Sequence, residues 1–334
     1  MEAVYSYLSK RARMRVIVRW VAAVTLVAMT SLTGDAQRVS EIVPRSQPLG
    51  SGPYKAIPEA DPGLPAHTVY RPANLQALGS QKLPIVLWGE GGCINDGTRF
   101  RWFLSEVASH GYLVVALGVM GDPKAEIWDA VPDNPGPGVM PPVSSIPPAA
   151  TRPSQFIQAL DWAIAENARR ESKYFGKLAA TQVAAMGMSC GGLQAIEASF
   201  DRRVTTTVIW NSGMFPDETN MNGLAGGRNL KKADLKQLHA PVAYISGDEA
   251  DIAFQNGNDD FEKLPAIPAL RAYRRKTVHD GTFGEVNGGD FGRVGVAWLN
   301  WQLKRDAMAA RMFVGPNCGL CTDPRWVVKQ KTLK

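Results

Sequence analysis

A glycine-flanked serine is the feature that most constrains how this chain can fold. The apolar run at residues 183–188 predicts a buried strand, and it leads directly into a Gly-x-Ser-x-Gly pattern with Ser189 at its centre. Small residues from Gly191 onward predict that a helix begins at once. Such a turn strains the backbone of the serine and lifts its hydroxyl group above the sheet, and the flanking glycines avoid collisions with neighbouring elements. The pattern predicts a nucleophilic serine, with an ordinary strand-to-helix corner as the alternative.

Apolar runs and helical periods alternate along much of the remaining chain. Strands are expected at residues 67–71, 83–88, 112–117, 183–188, 205–210, 242–245 and 271–278, and helices at residues 99–110, 154–170 and 291–305. Runs that are apolar throughout are typical of strands buried on both faces of a parallel sheet. We therefore expect an α/β fold with a mostly parallel central sheet and helices on both faces, as a single domain over residues 37–334.

Three segments are expected to have little regular structure. Residues 37–66 are rich in proline and glycine and should wrap the domain as irregular chain. Residues 121–153 contain nine prolines, and a loop of this length is either a functional lid or binding loop at the active site or a passive excursion. Residues 306–334 are expected to form a tail after the last helix.

The amino terminus has the pattern of a secretory signal peptide. Basic residues precede a short apolar run at residues 20–29, and a small-x-small site follows at residues 34–36. The run is too short to span a bilayer comfortably. We therefore expect residues 1–36, read from a start at Met1 or Met14, to be removed and the protein to be secreted or periplasmic. Removal lowers the formal net charge from +6 to about +3, which weakens the argument for a nucleic-acid partner.

The four cysteines are Cys93, Cys190, Cys318 and Cys321. An even number in an exported protein favours disulfide bonds, with three possible pairings. Cys318 and Cys321 lie in the tail, whereas a redox pair usually opens a helix of a βαβ unit, so a structural clamp is the favoured interpretation. No second pair of ligands has the spacing of a zinc site, and neither a metal nor another cofactor is expected.

The direction of the strands selects one of the four histidines as a catalytic base. In an open α/β sheet, ligands bind beyond the carboxyl ends of the strands. His279 is the only histidine that follows a predicted strand, whereas His67 begins one, His239 precedes one and His110 ends a helix. We therefore expect His279 to lie beside Ser189 and the other three to lie at the opposite end. His279 also comes last, as the chain order Ser…Asp/Glu…His requires.

The acid that orients His279 should follow the strand before it. Asp248, Glu249 and Asp251 all lie in that segment. Their spacing alone does not choose among the three.

An oxyanion-binding site would complete the constellation. The backbone N–H of Cys190, directly after the serine, is placed to serve as one donor. The glycine-rich loop at residues 89–93 is placed to supply a second, because glycine backbone can turn its amides toward a ligand. That loop lacks the Gly-x-Gly-x-x-Gly spacing of dinucleotide-binding proteins, which argues against a nucleotide there.

From about residue 67 to residue 305, the chain resembles an α/β-hydrolase of the kind that includes secreted bacterial serine esterases and cutinase-like polyester hydrolases. The resemblance is carried by residues 187–192, by Ala-Ser-His-Gly at residues 108–111 and by Asp-Ile-Ala at residues 251–253. It implies that Asp251 is the acid, because Ile-Ala shortly follows the acid in cutinase-like enzymes. It also implies that Gly92 or Cys93 provides the second oxyanion donor.

The chain departs from these enzymes at Cys190, where they usually carry methionine, and after His279, where Asp280 and Gly281 are not their usual residues. Cys190 and Cys93 are both expected beside the oxyanion, with each amide about 3 Å from one oxygen atom. Their α-carbons should therefore be close. In an oxidising compartment the two could form a disulfide bond and leave the other two cysteines to pair locally; two small buried thiols that merely pack well are the alternative.

Together these observations predict a secreted serine hydrolase that cleaves small-molecule or polymeric carboxylic esters through an acyl-enzyme on Ser189. An amidase or a polyester depolymerase would use the same triad of Ser189, His279 and Asp251. A non-catalytic binding protein of the same fold is an alternative, and a thiol–disulfide protein that uses Cys318 and Cys321 is another. We expect no nucleic-acid partner and no membrane association after signal cleavage, and the sequence does not indicate an oligomeric state.

Overall fold

The computed structural model of the protein describes residues 50–121 and 142–333. The predicted signal peptide at residues 1–36 lies outside the described residues, as does most of the predicted loop at residues 121–153. Among the helices within the described ranges, none has the length and apolar character needed to cross a membrane.

A nine-stranded sheet forms the centre of the described chain. Its strands are β1 (Ala56–Ala60), β2 (His67–Pro72), β3 (Leu83–Gly89), β4 (Leu113–Leu117), β5 (Leu178–Met188), β6 (Thr206–Trp210), β7 (Val242–Gly247), β8 (Ala269–Arg274) and β9 (Trp326–Lys331). The order across the sheet is β1-β2-β4-β3-β5-β6-β7-β8-β9. The pairs β1–β2, β2–β4 and β8–β9 are antiparallel, and every other pair is parallel. The expected α/β fold with a mostly parallel sheet is confirmed.

Helices cover both faces of the sheet. Within the described residues they are α1 (Arg101–Ser109), α2 (Ser154–Ala168), α3 (Cys190–Ala198), α4 (Phe254–Lys263), α5 (Gly289–Lys304), α6 (Ala307–Ala310) and α7 (Gly319–Thr322). The apolar sides of α2, α3 and α4 pack on one face, and those of α1 and α5 pack on the other. Since each central strand is covered on both faces, its side chains are buried regardless of the direction in which they point.

Two edge strands lie where the sequence predicted irregular chain. β1 falls within residues 37–66 and pairs with β2. β9 falls within residues 306–334 and pairs with β8, so this segment is not merely a tail. Both strands mix polar and apolar residues because each has a neighbour on one side only, and neither therefore has the continuous apolar run of a central strand.

Two further elements differ from the sequence-based expectation. The strand expected at residues 271–278 ends at Arg274, and the chain turns through Lys276, whose φ is 54°. The helix α4, which was not predicted, begins three residues after Asp251. Both differences concern the segments that carry the predicted acid and base.

The strand order reverses direction beside the predicted nucleophile. After β3 the chain forms β4 on one side of that strand, and it then forms β5 on the other side. Where successive connections diverge in this way, a crevice opens beyond the carboxyl ends of the two strands. The glycine-rich loop after β3 and Ser189 after β5 both lie at this crevice.

Glycines allow the start of α3 to approach β3 and β5 at backbone contact. A Cβ atom added to Gly191 would collide with the carbonyl group of Gly89, and one added to Gly187 would collide with the carbonyl group of Gly191. Backbone atoms in a parallel sheet cannot move aside as a flexible side chain can. The crossing of the helix over the strands therefore requires glycine at these positions.

We expect Gly191→Ala to lower the free energy of unfolding by about 1–3 kcal/mol, because the added methyl group forces β3 and α3 apart. Gly223→Ala is the matched control, since a Cβ there meets only the side chain and backbone of Asn229 at ordinary contact distance. Its effect should stay within about 0.5 kcal/mol. Urea unfolding followed by circular dichroism would measure both, and equal stabilities of the two variants would contradict this account.

Candidate active site

The backbone at Ser189 is held in an uncommon conformation by the next strand. Ser189 directly follows β5 and precedes the first residue of α3, with φ 53° and ψ −120°. Its N–H donates to the carbonyl oxygen of Trp210 at 2.9 Å, and its own carbonyl oxygen accepts from Ser212 Oγ at 2.6 Å. A non-glycine residue at positive φ is strained, and these two hydrogen bonds stabilise it there. The serine side chain therefore projects beyond the end of β5.

Three predicted residues meet in one hydrogen-bonded chain. Ser189 Oγ lies 2.8 Å from His279 Nε2, and His279 Nδ1 lies 2.6 Å from Asp251 Oδ1. Because a carboxylate only accepts, Nδ1 carries a hydrogen, and Nε2 can then accept from the serine hydroxyl. The Asp251 side chain is fully buried, whereas the His279 side chain keeps 18% of its surface exposed. The arrangement can move a proton from the serine to the histidine at a solvent-accessible position.

Asp251 is surrounded by hydrogen-bond donors. Its Oδ1 accepts from Ala253 N at 2.9 Å in addition to His279, and its Oδ2 accepts from Asn211 Nδ2 at 2.9 Å and from Gly247 N at 3.2 Å. Burial by itself raises the pKa of Asp251, but the bonds from His279, Ala253 and Asn211 and the charge of His279 outweigh burial, so the pKa lies below its ordinary value. The carboxylate is therefore ionised at neutral pH, as the partner of an imidazolium must be.

The other two acidic candidates have different surroundings. Asp248 accepts from Lys276 N at 2.6 Å and from Ala250 N at 3.2 Å, and its own N–H donates to Thr277. It thereby fixes the turn that leads to His279 without contacting the imidazole. Glu249 is exposed to solvent. Of the three carboxylates that the sequence left open, Asp251 is the one beside the histidine.

The loop that carries His279 is anchored at its far end by an aromatic cluster. Phe283, four residues further on, is buried, and its ring centroid lies 5.0–5.8 Å from those of five other aromatic residues. These are Trp88, Phe100, Phe103, Trp210 and Phe291. Asp248 at one end of the loop and Phe283 at the other therefore limit the positions that the imidazole can adopt.

The prediction that His67 lies at the opposite end of the sheet is wrong. Because β2 runs antiparallel to β4, its first residue, His67, pairs with Leu117 at the carboxyl end of β4. The ring is buried, Nε2 lies 3.0 Å from the carbonyl oxygen of Gln155, and burial lowers the pKa of His67. Its hydrogen bond to the backbone of α2 gives His67 a structural role.

His110 and His239 have structural surroundings. His110 Nε2 lies 3.1 Å from Glu106 Oε1, one helical turn earlier in α1. His239 lies before β7, and its Nε2 is 3.1 Å from the carbonyl oxygen of Val204. Neither ring contacts Ser189.

The loop after β3 contains two residues with left-handed backbone, Gly92 (φ 66°) and Cys93 (φ 48°). The N–H of Cys93 donates to the carbonyl oxygen of Glu90 at 3.0 Å and closes a turn. The N–H of Gly92 lies inside that turn and does not take part in its hydrogen bond, which makes Gly92 the better of the two predicted donors. Cys190 is the first residue of α3, where N–H groups have no partner within the helix.

The side chain of Glu90 is fully buried in the same loop. Burial raises its pKa well above the ordinary value, and the nearby carboxylate of Asp96 raises it further. Both effects favour the neutral, protonated carboxyl group. Trp88 and the positive charge of Arg99 act in the opposite direction, but burial is the largest effect, so the pKa is raised overall.

A disulfide bond joins Cys93 to Cys190, with their α-carbons 5.3 Å apart, and a second joins Cys318 to Cys321. Of the two alternatives that the sequence left open for Cys93 and Cys190, the disulfide bond is the one observed. The carbonyl oxygen of Cys93 also accepts from the N–H groups of Ala150 at 2.9 Å and Thr151 at 3.1 Å. The end of the predicted loop at residues 121–153 is thus tied to the bridge that links β3 to α3.

No protein-family model matches the chain, and no curated protein does either. In the described part of the chain, no group of three or more His, Cys, Asp or Glu side chains could hold a metal ion.

The sequence did not predict a role for Asn211, which contacts the acid, or for Ser212, which contacts the nucleophile. Neither belongs to a recognisable motif; their position directly after a buried strand was the one available signal.

We expect loss of the Cys93–Cys190 bridge to destabilise the protein more than loss of the Cys318–Cys321 bridge. The first closes a loop with a sequence separation of 97 and the second one of 3. Constraint of the unfolded chain then predicts about 4–5 kcal/mol for the first and about 2 kcal/mol for the second. Denaturant unfolding of the two double Cys→Ala variants would test the ranking, and the opposite order would contradict it.

Proposed function

We propose that this protein has the α/β-hydrolase fold and is a serine hydrolase that cleaves carboxylic esters through an acyl-enzyme. The observation that carries the proposal is the continuous chain from Ser189 Oγ through His279 to Asp251, with both contacts at hydrogen-bond distance. The position of Ser189 on a strained turn between β5 and α3, at the crevice where the strand order reverses, supports it further.

In the proposed reaction, Ser189 Oγ attacks the carbonyl carbon of the ester while its proton passes to His279 Nε2. Asp251 stabilises the imidazolium and keeps it oriented. The negative oxygen of the tetrahedral intermediate is bound by the N–H groups of Cys190 and Gly92. The imidazolium then protonates the departing alkoxide, an acyl-enzyme remains on Ser189, and water activated by His279 releases the acid.

Several features support this proposal over its alternatives. An amidase or a polyester depolymerase would use the same residues, and the resemblance to secreted esterases is what favours an ester. A non-catalytic binding protein has no need of a strained serine aligned with a buried acid. A thiol–disulfide protein would place its chemistry at Cys318 and Cys321, away from the crevice. Two disulfide bonds fit an oxidising compartment, which supports the further proposal of secretion.

A fluorophosphonate probe is expected to label the folded protein at Ser189, because a serine activated by histidine attacks phosphorus as it attacks an ester carbonyl. Mass spectrometry of the labelled peptide would locate the adduct. Ser189→Ala and the heat-denatured wild type are the controls, and both should remain unlabelled. A folded wild type that does not react would refute the hydrolase proposal.

Substitutions should separate the triad residues from the other candidates by their effect on kcat for the hydrolysis of a short-chain p-nitrophenyl ester. Ser189→Ala and His279→Ala should each lower kcat by about 10⁴-fold or more, because the members of a triad act as a unit. Asp251→Asn should cost far more than Asp248→Asn. His110→Ala and His239→Ala should retain most activity. A greater loss in Asp248→Asn would mean that the acid is wrongly assigned.

A further inference from the structure

The last residue of β6 and the two residues after it contact both the nucleophile and the acid. The carbonyl oxygen of Trp210 accepts from Ser189 N, and Ser212 Oγ donates to the carbonyl oxygen of Ser189. Between them, Asn211 Nδ2 donates to Asp251 Oδ2 at 2.9 Å. A single tripeptide thus bridges two residues that lie 62 positions apart in the sequence and on different loops.

The orientation of the Asn211 amide follows from its partner. A carboxylate only accepts hydrogen bonds, so the NH₂ group and not the oxygen of the amide must face Asp251. The same nitrogen lies 3.5 Å from the carbonyl oxygen of Val278, the residue before His279. Among the side chains in the described residues, Asn211 and His279 are the two that donate to Asp251, one to each carboxylate oxygen.

The backbone conformation and the burial of Asn211 both oppose folding. Its backbone has φ 42°, in the left-handed region, and asparagine tolerates this region better than most residues. Its side-chain oxygen is buried and has no hydrogen-bond partner among the described residues. An unsatisfied buried acceptor calls for an explanation, since it opposes folding. The hydrogen bond to Asp251 is the compensating interaction.

We propose that Asn211 is a positioning residue, which holds the Asp251 carboxylate so that Oδ1 faces His279 and which couples the acid to the nucleophile turn. This inference rests on the proposed function. Without the amide, the carboxylate loses a donor on Oδ2 and can rotate away from Nδ1. The imidazolium formed during catalysis would then lose part of its stabilisation, whereas substrate binding would be unaffected.

Asn211→Gly is the first test, because glycine accepts the positive φ of this position and its lack of a side chain removes the amide donor. We expect kcat for ester hydrolysis to fall by about 10- to 100-fold, the range for a hydrogen bond to a charged group, with KM nearly unchanged. Asn220→Gly is the matched control, since Asn220 is an exposed asparagine with φ 53°. Its kcat should equal that of the wild type.

Asn211→Asp provides a readout that a purely structural residue would not move. The new carboxyl group would face Asp251 at hydrogen-bond distance, and two such carboxyl groups share one proton whose pKa is raised. While protonated, the new group still donates to Asp251; once ionised, it repels it. We therefore expect kcat of this variant to fall toward alkaline pH, where the wild type remains level.

The results separate the two proposals. If fluorophosphonate labels the wild type but Asn211→Gly stays within twofold in kcat, or if the pH profile of Asn211→Asp parallels that of the wild type, the role of Asn211 is overturned and the hydrolase proposal stands. If the folded wild type is neither labelled nor active, the proposed function fails and the positioning role fails with it.

Discussion

The strained backbone at Ser189, with its positive φ, is the constraint on which the rest of the site depends. A residue with a side chain does not adopt this conformation unless its surroundings impose it. Here β5 delivers the chain into the turn, glycine allows α3 to leave it at backbone contact with β3, and Trp210 and Ser212 bind the peptide groups on both sides of the serine. The position of the Ser189 hydroxyl group is therefore set jointly by β3, β5, β6 and α3.

Parallel neighbours bring the remaining groups to the same place. β5, β6 and β7 are adjacent and end at one edge of the sheet, and the residues that follow them are Ser189, Asn211 and the segment that leads to Asp251. β8, the next strand, leads to His279. Side chains far apart in sequence thus meet because their strands are parallel and end side by side. The loops that follow the strands then have only a short distance to cross to bring the groups into contact.

The sequence predicted the parts of this arrangement that have their own local signal. Central strands are apolar throughout, and the turn at Ser189 has a glycine pattern, so both were predictable. The direction of β2 has no such signal, which is why His67 was expected at the wrong end. β9 was missed because only its first three residues are apolar, and the three that follow are polar, so it lacks the long apolar run of a central strand. Asn211 was missed because its role depends on Asp251, which approaches it only in the folded chain.

The bridge between Cys93 and Cys190 also closes a covalent ring through residues 94–189, which include all of α1, β4, α2 and β5. A single break of the main chain anywhere in that ring leaves both pieces in one covalent molecule. The long proline-rich segment lies within it, so a protease that cuts there releases no fragment until the disulfide bond is reduced. A molecule cut once within this ring would therefore keep its full mass under non-reducing conditions and separate into two fragments only after reduction.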